Sequence, residues 1–276
     1  MKAVTRSSEI ADVVQPIKQA GNGFATNFFA APAQVERWIG HGEVSYVPAA
    51  RAVLIFRRDR GFFHLYHVAA DGEALSGALG RLAEDCDPGT VLVSDLVGRE
   101  ADAETAAGLY RQHGFSDHAR LVRMARTRGT ALPEAAEQPA SAFAERGDLR
   151  MVCAFLEEQL DPFRDQMPET DEVEIALERR SVLIERRAGG VGGLLLFETT
   201  GWTSLLRYWY VEGRFRGQGI GARLIKTYFR HCRTCGRIVV WVASGNADAI
   251  ARYRHYGFRD DVLADRIMIR RGSSKA

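Results

Sequence analysis

The residues best suited to chemistry lie between Val211 and Ile225, in the run VEGRFRGQGIGARLI. Glycine occupies alternate positions in Gly217–Gly221, and two arginines precede that segment. Glycines spaced in this way clear side chains from a turn, so that backbone N–H groups can meet a ligand closely. From Gly213 to Ala247 the chain has no Asp or Glu, and an acid-free basic segment around such a turn favours a small polyphosphate. The pattern therefore predicts a phosphate site.

A strand and a helix must hold this turn in place. The residues SLLRYWYV before the turn are strand-like, and ARLIKTYFRHC after it has a helical pattern. A helix that begins at the turn presents unpaired N–H groups and the positive end of its dipole to an anion. The predicted phosphate-binding residues are Arg216, Gly217, Gln218, Gly219, Ile220, Gly221 and Ala222.

Composition limits the classes of protein to which the chain can belong. A length of 276 residues is enough for two ordinary domains, and 46% apolar with 26% charged residues is typical of a globular chain. The net charge is +2, and neither half is basic enough to predict a nucleic-acid surface. No apolar run approaches the ~20 residues of a membrane helix, and the first residues, MKAVTRSSEIADVVQ, include acids where a signal peptide is apolar. We expect a cytoplasmic protein without a membrane partner.

Cys232 and Cys235 form the run CRTC, which has the spacing of half a zinc site or of a redox motif. The sequence contains no second such pair, and CRTC ends a helical pattern instead of following a strand. Two ordinary thiols are therefore the favoured interpretation, and no metal is expected.

The chain contains an internal repeat with an offset of 143 positions. At this offset LYRQHGFSD aligns with RYRHYGFRD, which pairs Tyr110 with Tyr253, and FHLYHV aligns with LRYWYV further upstream. The run RTRGTALPEAAEQPASA between the copies is rich in Ala, Pro, Thr and Glu and has no periodic apolar face. We therefore predict a first domain at 1–130, a linker at 131–140 and a second domain at 141–276.

Both copies have the same predicted order of elements. In the second copy we predict a strand at 142–144, a helix capped by Asp148, a helix after Pro168, the strands SVLIERR, GGLLLFETT and SLLRYWYV, the helix ARLIKTYFRHC, the strand IVVWVAS, a helix over 246–256 and the strand DRIMIR. The first copy is looser, with helices at 10–19 and 35–39, strands at 52–57 and 62–68, a helix from Leu75, the strand VLVSDLV and a helix ending before Gly114.

Two of these motifs together resemble the GNAT acetyltransferase superfamily. The run RGQGIG from Arg216 is similar to that family's [RQ]-x-x-G-x-[GA] acyl-coenzyme A loop, and NADAIARYRHYGF is similar to its N-x-x-A-x-x-x-Y-x-x-x-G-F segment. The resemblance covers 141–270 well, whereas 10–126 resembles the family only through its architecture and the LYxxxGF remnant. The resemblance implies an α/β (α+β) protein with two tandem GNAT-like domains. Each would have a mixed, mainly antiparallel sheet with a V-shaped splay, flanked by helices.

The resemblance also implies a ligand, acetyl-coenzyme A, as co-substrate. Its pyrophosphate would lie at the glycine turn, and its pantetheine arm would lie between two splayed strands, bonding backbone groups around Tyr210 and Val211. Asn246 opens the next helix and matches a family position that bonds the coenzyme. A role as helix cap alone is equally compatible with Asn246.

Tyr253 matches the family's tyrosine, which can protonate the departing thiolate after an amine attacks the thioester. A buried aromatic that ends its helix is the alternative, because Tyr110 keeps the same residue in the first copy. A general base is not assigned, because LRYWYV has no carboxylate. Glu198, Tyr208 and a relayed water stay open for that role.

The first copy departs from the phosphate-binding pattern. At the repeat offset Glu73, Ser76 and Ala78 stand where the second copy has an arginine and two glycines. A carboxylate repels pyrophosphate, and larger side chains block backbone approach, so we expect no coenzyme A there. The first domain would either wall the acceptor site or be a duplicate kept for folding.

Two other classes compete with an acetyltransferase. Gly217, Gly219 and Ala222 fit G-x-G-x-x-A, but IVVWVASGN ends without the acid that a dinucleotide site needs on the ribose. A non-catalytic acyl-coenzyme A sensor or scaffold is the stronger rival, since no base is assigned.

We expect acetyl transfer to a primary amine of a small molecule or peptide. A monomer is favoured because the two copies can pair within one chain.

Overall fold

The computed structural model describes residues 1–20, 25–82, 86–87, 89–130, 140–188 and 190–272. Most of the predicted linker, 131–139, lies outside these residues. The chain divides into a first unit, Met1–Arg120 with Leu263–Ala276, and a second unit, Leu121–Val262. These units are defined by spatial proximity and the predicted domains by sequence, so the domain boundaries stay a prediction.

The elements of the first copy follow the predicted order. They are β1 (Lys2–Ala3), α1 (Ser7–Ala20), β2 (Ala25–Thr26), α2 (Pro32–Gly40), β3 (Val44–Pro48), β4 (Ala52–Asp59), β5 (Phe62–Ala69), α3 (Gly72–Gly80), β6 (Val91–Arg99), α4 (Glu100–Gln112) and β7 (Ser116–Thr127). α1 illustrates why these segments are helical, because Ile10, Val14 and Ile17 recur on one face and all three are buried.

The second copy repeats the series. Its elements are β8 (Ala142–Phe143), α5 (Leu149–Gln159), α6 (Thr170–Glu178), β9 (Val182–Arg187), β10 (Gly190–Thr200), β11 (Thr203–Val211), α7 (Ile220–His231), β12 (Arg237–Ala243), α8 (Ala247–His255) and β13 (Arg259–Arg271). Single 3-10 turns at Arg146–Asp148 and Gly213–Phe215 precede α5 and α7.

The sheet of the first unit has the order β1-β3-β4-β5-β6-β13, with β2 beside β5. Its strand pairs are antiparallel except for β5 and β6. One face packs against α3 and α4 through residues such as Leu75 and Tyr110. The other face packs against α1 and α2 through residues such as Ile10 and Trp38.

The sheet of the second unit has the order β7-β12-β11-β10-β9-β8. β11 and β12 are parallel, and the other neighbours are antiparallel. α7 and α8 cover one face, where Leu224 and Tyr253 belong to the core. α5 and α6 cover the opposite face, where Phe155 and Val173 are buried. The predicted α/β class with helices on both faces of a mixed sheet is confirmed.

Each unit contains a strand that follows the last helix of the other copy. Leu121–Thr127 of β7 comes after α4 in sequence, yet it pairs with β12 of the second unit. Leu263–Arg271 of β13 comes after α8, yet it pairs with β6 of the first unit. The two copies have therefore exchanged their last strands.

Two local predictions need correction. Asp148 does not cap α5 with its side chain, because its Oδ2 accepts a 2.8 Å bond from the N–H of Glu145 at the preceding turn. β7 was absent from the prediction because SDHARLVRMART carries three arginines and has only two buried residues. Gly201 lies in the turn between β10 and β11 and has a φ of 56°.

Candidate active site

A cleft opens where β11 separates from β12. The parallel pairing of these strands runs from Thr203 with Arg237 to Leu206 with Val240. At the next residue β11 has a β-bulge, because successive β10 residues pair with Leu206 and then with Tyr208, which leaves Arg207 as an extra residue. A bulge bends its strand and disrupts the ladder, so the predicted splay begins here.

A cavity of about 730 Å³ adjoins this cleft at the end of β11, between the start of α7 and α8, and its volume suits a large cofactor. Its wall includes the predicted residues Tyr210, Val211, Arg216, Gly217, Gly219, Ile220, Gly221, Ala222 and Asn246. Gln218 and Tyr253 are not part of the wall. Trp209, Arg252, His255 and Tyr256 also line the cavity and were not predicted.

The start of α7 has the geometry of an anion site. Gly217 and Gly219 have φ of 78° and 75°, in the left-handed region that a residue with a β-carbon avoids. The N–H of Arg223 bonds the carbonyl of Gly219 at 3.0 Å, and no side chain caps the helix. The N–H groups of Ile220–Ala222 therefore have no acceptor within the helix, and all three residues line the cavity.

Two glycines on β10 set the position of α7. A β-carbon on Gly193 would lie 2.6 Å from Cγ2 of Ile220, and one on Gly192 would lie 3.2 Å from the ring of Phe215. Only glycine lets the glycine turn and the first turn of α7 approach the sheet this closely. The sequence indicated a strand at this position but not its contact with α7.

A partly buried ion pair also anchors α7. Arg223 donates two hydrogen bonds of 3.0 Å to the two carboxylate oxygens of Glu185 on β9, and Ser141 donates a third of 2.7 Å. Burial opposes ionisation of Glu185, but the bonds from Arg223 and Ser141 hold its pKa below the usual value. Arg223 therefore has a structural role and is not available to a ligand.

Fewer basic side chains of the segment 213–247 face the cavity than its sequence predicted, because several of them form ion pairs elsewhere. Besides Arg223, Arg214 pairs with Glu212 at 2.5 Å and Arg237 pairs with Asp261. Arg216 does line the cavity, as predicted, and two further basic residues of the wall, Arg252 and His255, come from α8. Arg252 and His255 are three residues apart and therefore share one face of α8, and this spacing is the signal that could have found them.

Asn246 caps α8, because its Oδ1 accepts a 3.0 Å bond from the N–H of Ala249. The cap explains why the helix begins at Ala247. Asn246 also lines the cavity, so its bond to the coenzyme stays a prediction.

Along β11, every second residue directs its backbone N–H and C=O groups toward the cleft. The N–H of Glu212 bonds the carbonyl of Gly192 on β10 at 3.0 Å, and the carbonyl of Tyr210 also lies close to Gly193. Because backbone groups alternate along a strand, those of Val211 face the cleft instead. Of the two residues predicted to bond the pantetheine arm, Val211 presents its backbone, and Tyr210 has its backbone against β10.

The indole of Trp209 contributes an unpaired donor to the site. Its Nε1 is buried and has no hydrogen-bond partner among the described residues. The nitrogen lies 3.5 Å from where a β-carbon on Gly221 would be, at the first turn of α7. A buried donor without a partner costs stability unless a ligand accepts its hydrogen, so this atom fits a bound cofactor.

Tyr253 lies behind the cavity wall. Its ring packs against Trp209 at 5.6 Å and against Phe258 at 5.4 Å between centroids. Its hydroxyl forms no hydrogen bond within the part of the chain that the structure describes. Burial raises the pKa of Tyr253, so the hydroxyl keeps its proton at neutral pH.

The side chains considered as a general base are engaged elsewhere. Glu198 accepts a 2.6 Å bond from Arg207. The hydroxyl of Tyr208 donates to the carbonyl of Asp165 at 2.7 Å, and burial raises its pKa to about 12. A tyrosine in that state does not accept a proton at neutral pH. A relayed water is the remaining possibility of the three.

Across the described ranges, no group of three or more His, Cys, Asp or Glu side chains is placed to hold a metal ion. Cys232 and Cys235 are both buried free thiols. Helices long and apolar enough to cross a membrane do not occur in the same ranges.

Comparison with known proteins identifies the family. Residues 149–258 match the acetyltransferase (GNAT) family. The second unit belongs to the GNAT family. The predicted resemblance is thereby confirmed, although no curated protein matches the chain.

Solved structures match this chain along nearly its whole length. A GCN5-related N-acetyltransferase from Sphaerobacter thermophilus has a TM-score of 0.61 at 18% identity, covering 98% of this chain and 94% of that one. A tandem GNAT protein from the clavulanic acid biosynthesis pathway has a TM-score of 0.59 at 12% identity, covering 100% and 99%. A GNAT acetyltransferase from Colwellia psychrerythraea has a TM-score of 0.57 at 12% identity, covering 99% of both chains. The predicted tandem fold is confirmed.

Proposed function

We propose that the second unit is an N-acetyltransferase that transfers an acetyl group from acetyl-coenzyme A to a primary amine. The observation that carries the proposal is the uncapped start of α7, where two left-handed glycines open onto the cavity. Membership of the GNAT family supports an acyl-coenzyme A as the donor. The acetyl group is the simplest acyl group that the family name implies.

The cavity residues fit the parts of this cofactor. The N–H groups of Ile220–Ala222, with Arg216 beside them, would hold the pyrophosphate. The backbone of Val211 faces the cleft and would bond the amide groups of the pantetheine arm. The unpaired Nε1 of Trp209 would gain an acceptor. Asn246 and Gln218, from the family motifs, would complete the set.

In this mechanism the thioester supplies an activated acyl group, which an attacking amine takes to form an amide while the thiolate leaves. Tyr253 would donate a proton to that thiolate. Its hydroxyl has no hydrogen-bond partner among the described residues, so its proton is not held by a protein acceptor, and its contact with Trp209 holds the ring against the cavity wall. Tyr253 is the residue that we assign as general acid.

The acceptor amine must lose a proton before or during its attack. Glu198 is paired with Arg207, and Tyr208 donates to the backbone, so neither residue supports direct proton removal. Water or the neutral fraction of the amine would serve instead. The rate should then increase with pH through the range in which the acceptor itself loses its proton.

The rival function is a non-catalytic acyl-coenzyme A sensor or scaffold, which the absence of an assigned base favours. The two functions are separated by thiol release from acetyl-coenzyme A, measured with the intact chain. Small amines, amino acids, free peptide N-termini and lysine peptides would be tested in turn. Amine-dependent release that exceeds release from the amine alone supports the enzyme. Tight binding of acetyl-coenzyme A without release for any amine would instead support the sensor.

A further inference from the structure

The first unit has a cleft that corresponds to the cofactor cleft of the second. β5 and β6 pair in parallel at Phe63 with Leu92 and at His64 with Val93, and then they diverge. β4 and β5 pair in unbroken register from Asp59 to Ala52, without the bulge that β11 has. The repeat aligns Phe63 with Leu206, and β5 has no equivalent of the bulge residue Arg207. His67 of β5 therefore corresponds to Val211, whose backbone faces the cofactor cleft.

A segment of the chain itself occupies this first cleft. We define it as the internal strand, Ala25–Phe28, which includes β2. Ala25 and Thr26 pair antiparallel with Ala69 and Val68 of β5. Thr26 continues the interaction, because its Oγ1 donates a 2.8 Å bond to the carbonyl of His67.

Asn27 connects the two diverging strands. Its Oδ1 accepts a 2.7 Å bond from the N–H of His67 on β5. Its Nδ2 lies 2.9 Å from Oγ of Ser94 and 3.0 Å from the carbonyl of Asp95, both on β6. Only 6% of Asn27 is exposed. One amide side chain therefore satisfies the backbone groups that an amide-bearing ligand would reach.

The tyrosine of the first unit is also engaged by its own surroundings. Tyr110, the counterpart of Tyr253, is fully buried and accepts a 3.1 Å bond from Ser94. Nδ1 of His67 lies 2.9 Å from the same hydroxyl, and burial lowers the pKa of His67 to about 3, which keeps the ring neutral. The hydroxyl of Tyr253 has no such partners among the described residues.

A carboxylate takes the place of a phosphate at the start of α3. Asp71 caps this helix, with its Oδ1 accepting a 2.9 Å bond from the N–H of Ala74. Glu73 adds a second acid in the first turn. The corresponding helix, α7, has Gly219 at its cap position and no side-chain cap. An anion would meet repulsion at α3 and free N–H groups at α7.

We propose that the internal strand stands in for the cofactor arm in the first unit and closes that cleft to acyl-coenzyme A. Asn27 makes the contacts that the amide groups of the cofactor arm would make, and Asp71 occupies the position of its phosphate. His67 and Ser94 bind the hydroxyl of Tyr110 in place of a ligand. The chain would therefore bind one cofactor, in the second unit. The inference rests on the proposed function in one respect, because the first cleft is compared with the cofactor site proposed in the second.

Amide hydrogen exchange, measured by NMR on the intact chain with and without acetyl-coenzyme A, tests the two clefts separately. The N–H of His67 should be protected in the free chain and unaffected by acetyl-coenzyme A. Asn27→Ala should accelerate its exchange about tenfold, because one buried hydrogen bond is lost. Ser116→Ala, which removes a bond to the backbone of Ile269 in the same unit, is the control and should leave His67 unchanged.

Each result decides one of the two claims. Fast exchange at His67 that acetyl-coenzyme A slows, or no effect of Asn27→Ala, would overturn the internal strand as a cofactor substitute. The wild-type comparison decides this even when Asn27→Ala does not fold. The N–H of Val211 reports on the proposed function alone, which predicts slower exchange with acetyl-coenzyme A. An unchanged Val211 beside a protected His67 would reject the proposed function and keep the inference.

Discussion

The two tyrosines of the repeat show how environment separates residues of identical type. Tyr110 has two hydrogen-bonding neighbours and is part of a closed core. Tyr253 is nearly as buried, yet its hydroxyl has no partner within the described chain and its ring contacts the cavity wall through Trp209. A sequence motif alone could not distinguish them, because both lie in matching Y-x-x-x-G-F segments.

This difference predicts opposite effects of the same substitution. Tyr253→Phe should lower kcat about 100-fold, because the proton donor is lost, and change the Kd of acetyl-coenzyme A less than about twofold. Tyr110→Phe is the matched control and should leave kcat unchanged while lowering the free energy of unfolding by about 1–3 kcal/mol. Steady-state kinetics and urea unfolding measure both. A wild-type kcat in Tyr253→Phe would reduce Tyr253 to a structural aromatic.

Asp265 on β13 gives a prediction about pH. It is 5% exposed, and burial together with the nearby carboxylate of Asp95 raises its pKa well above the usual value. A raised carboxyl pKa means that the folded state holds a proton more tightly than the unfolded state. Its contribution is therefore full below pH about 4 and is lost as the pH increases through the folded-state pKa.

Asp265→Asn should abolish this loss of stability with increasing pH, because an amide carries no charge that would have to be buried. The variant should gain stability relative to the wild type between pH 4 and pH 8, as measured by urea unfolding at a series of pH values. A difference between the two proteins that stays constant over this range would show that Asp265 does not titrate there.

At the scale of elements, α7 depends on residues far away in sequence. The glycine turn and the capping residue Asn246 could be predicted because each lies within one contiguous motif. Gly193 and Glu185 could not, because their importance arises from contacts with Ile220 and Arg223 that only the folded chain creates. The same holds for Arg207, whose bulge follows from strand register.

Gly193→Ala tests the contact between α7 and β10. The added carbon would lie 2.6 Å from Ile220, so α7 must shift. We expect a loss of about 1–3 kcal/mol in the free energy of unfolding, and a lower affinity for acetyl-coenzyme A. Gly77→Ala on α3 is the control, because no atom lies within 4 Å of its added carbon. Equal affinities for acetyl-coenzyme A in the two variants would show that cofactor binding does not depend on the contact between α7 and β10.

For the whole molecule, the exchanged strands are the feature that sequence reasoning did not reach. β7 and β13 follow equivalent helices, and each has a pattern compatible with either sheet. Periodicity and turn signals therefore predict the strand β13 but not its partner. The tandem architecture itself was predictable, because the 143-residue offset is visible in the residues.

The exchange predicts how fragments behave. A fragment 141–276 lacks the strand Leu121–Thr127 that pairs with β12, whereas a fragment 121–262 contains the second unit. The first should leave β12 as an exposed edge and fail to unfold cooperatively, and the second should fold and bind acetyl-coenzyme A. Circular dichroism during urea unfolding compares them. Cooperative unfolding of 141–276 with the midpoint of the intact chain would contradict this account.

The central claim is that one cofactor binds at the start of α7, and calorimetric titration of acetyl-coenzyme A into the intact chain tests it most directly. We predict one site per chain. The double variant Arg216→Glu, Gly219→Ser, which copies the loop of the first unit, should abolish binding, and Arg230→Glu near the end of α7 should preserve it. Two sites per chain, or unchanged affinity in the double variant, would contradict the account.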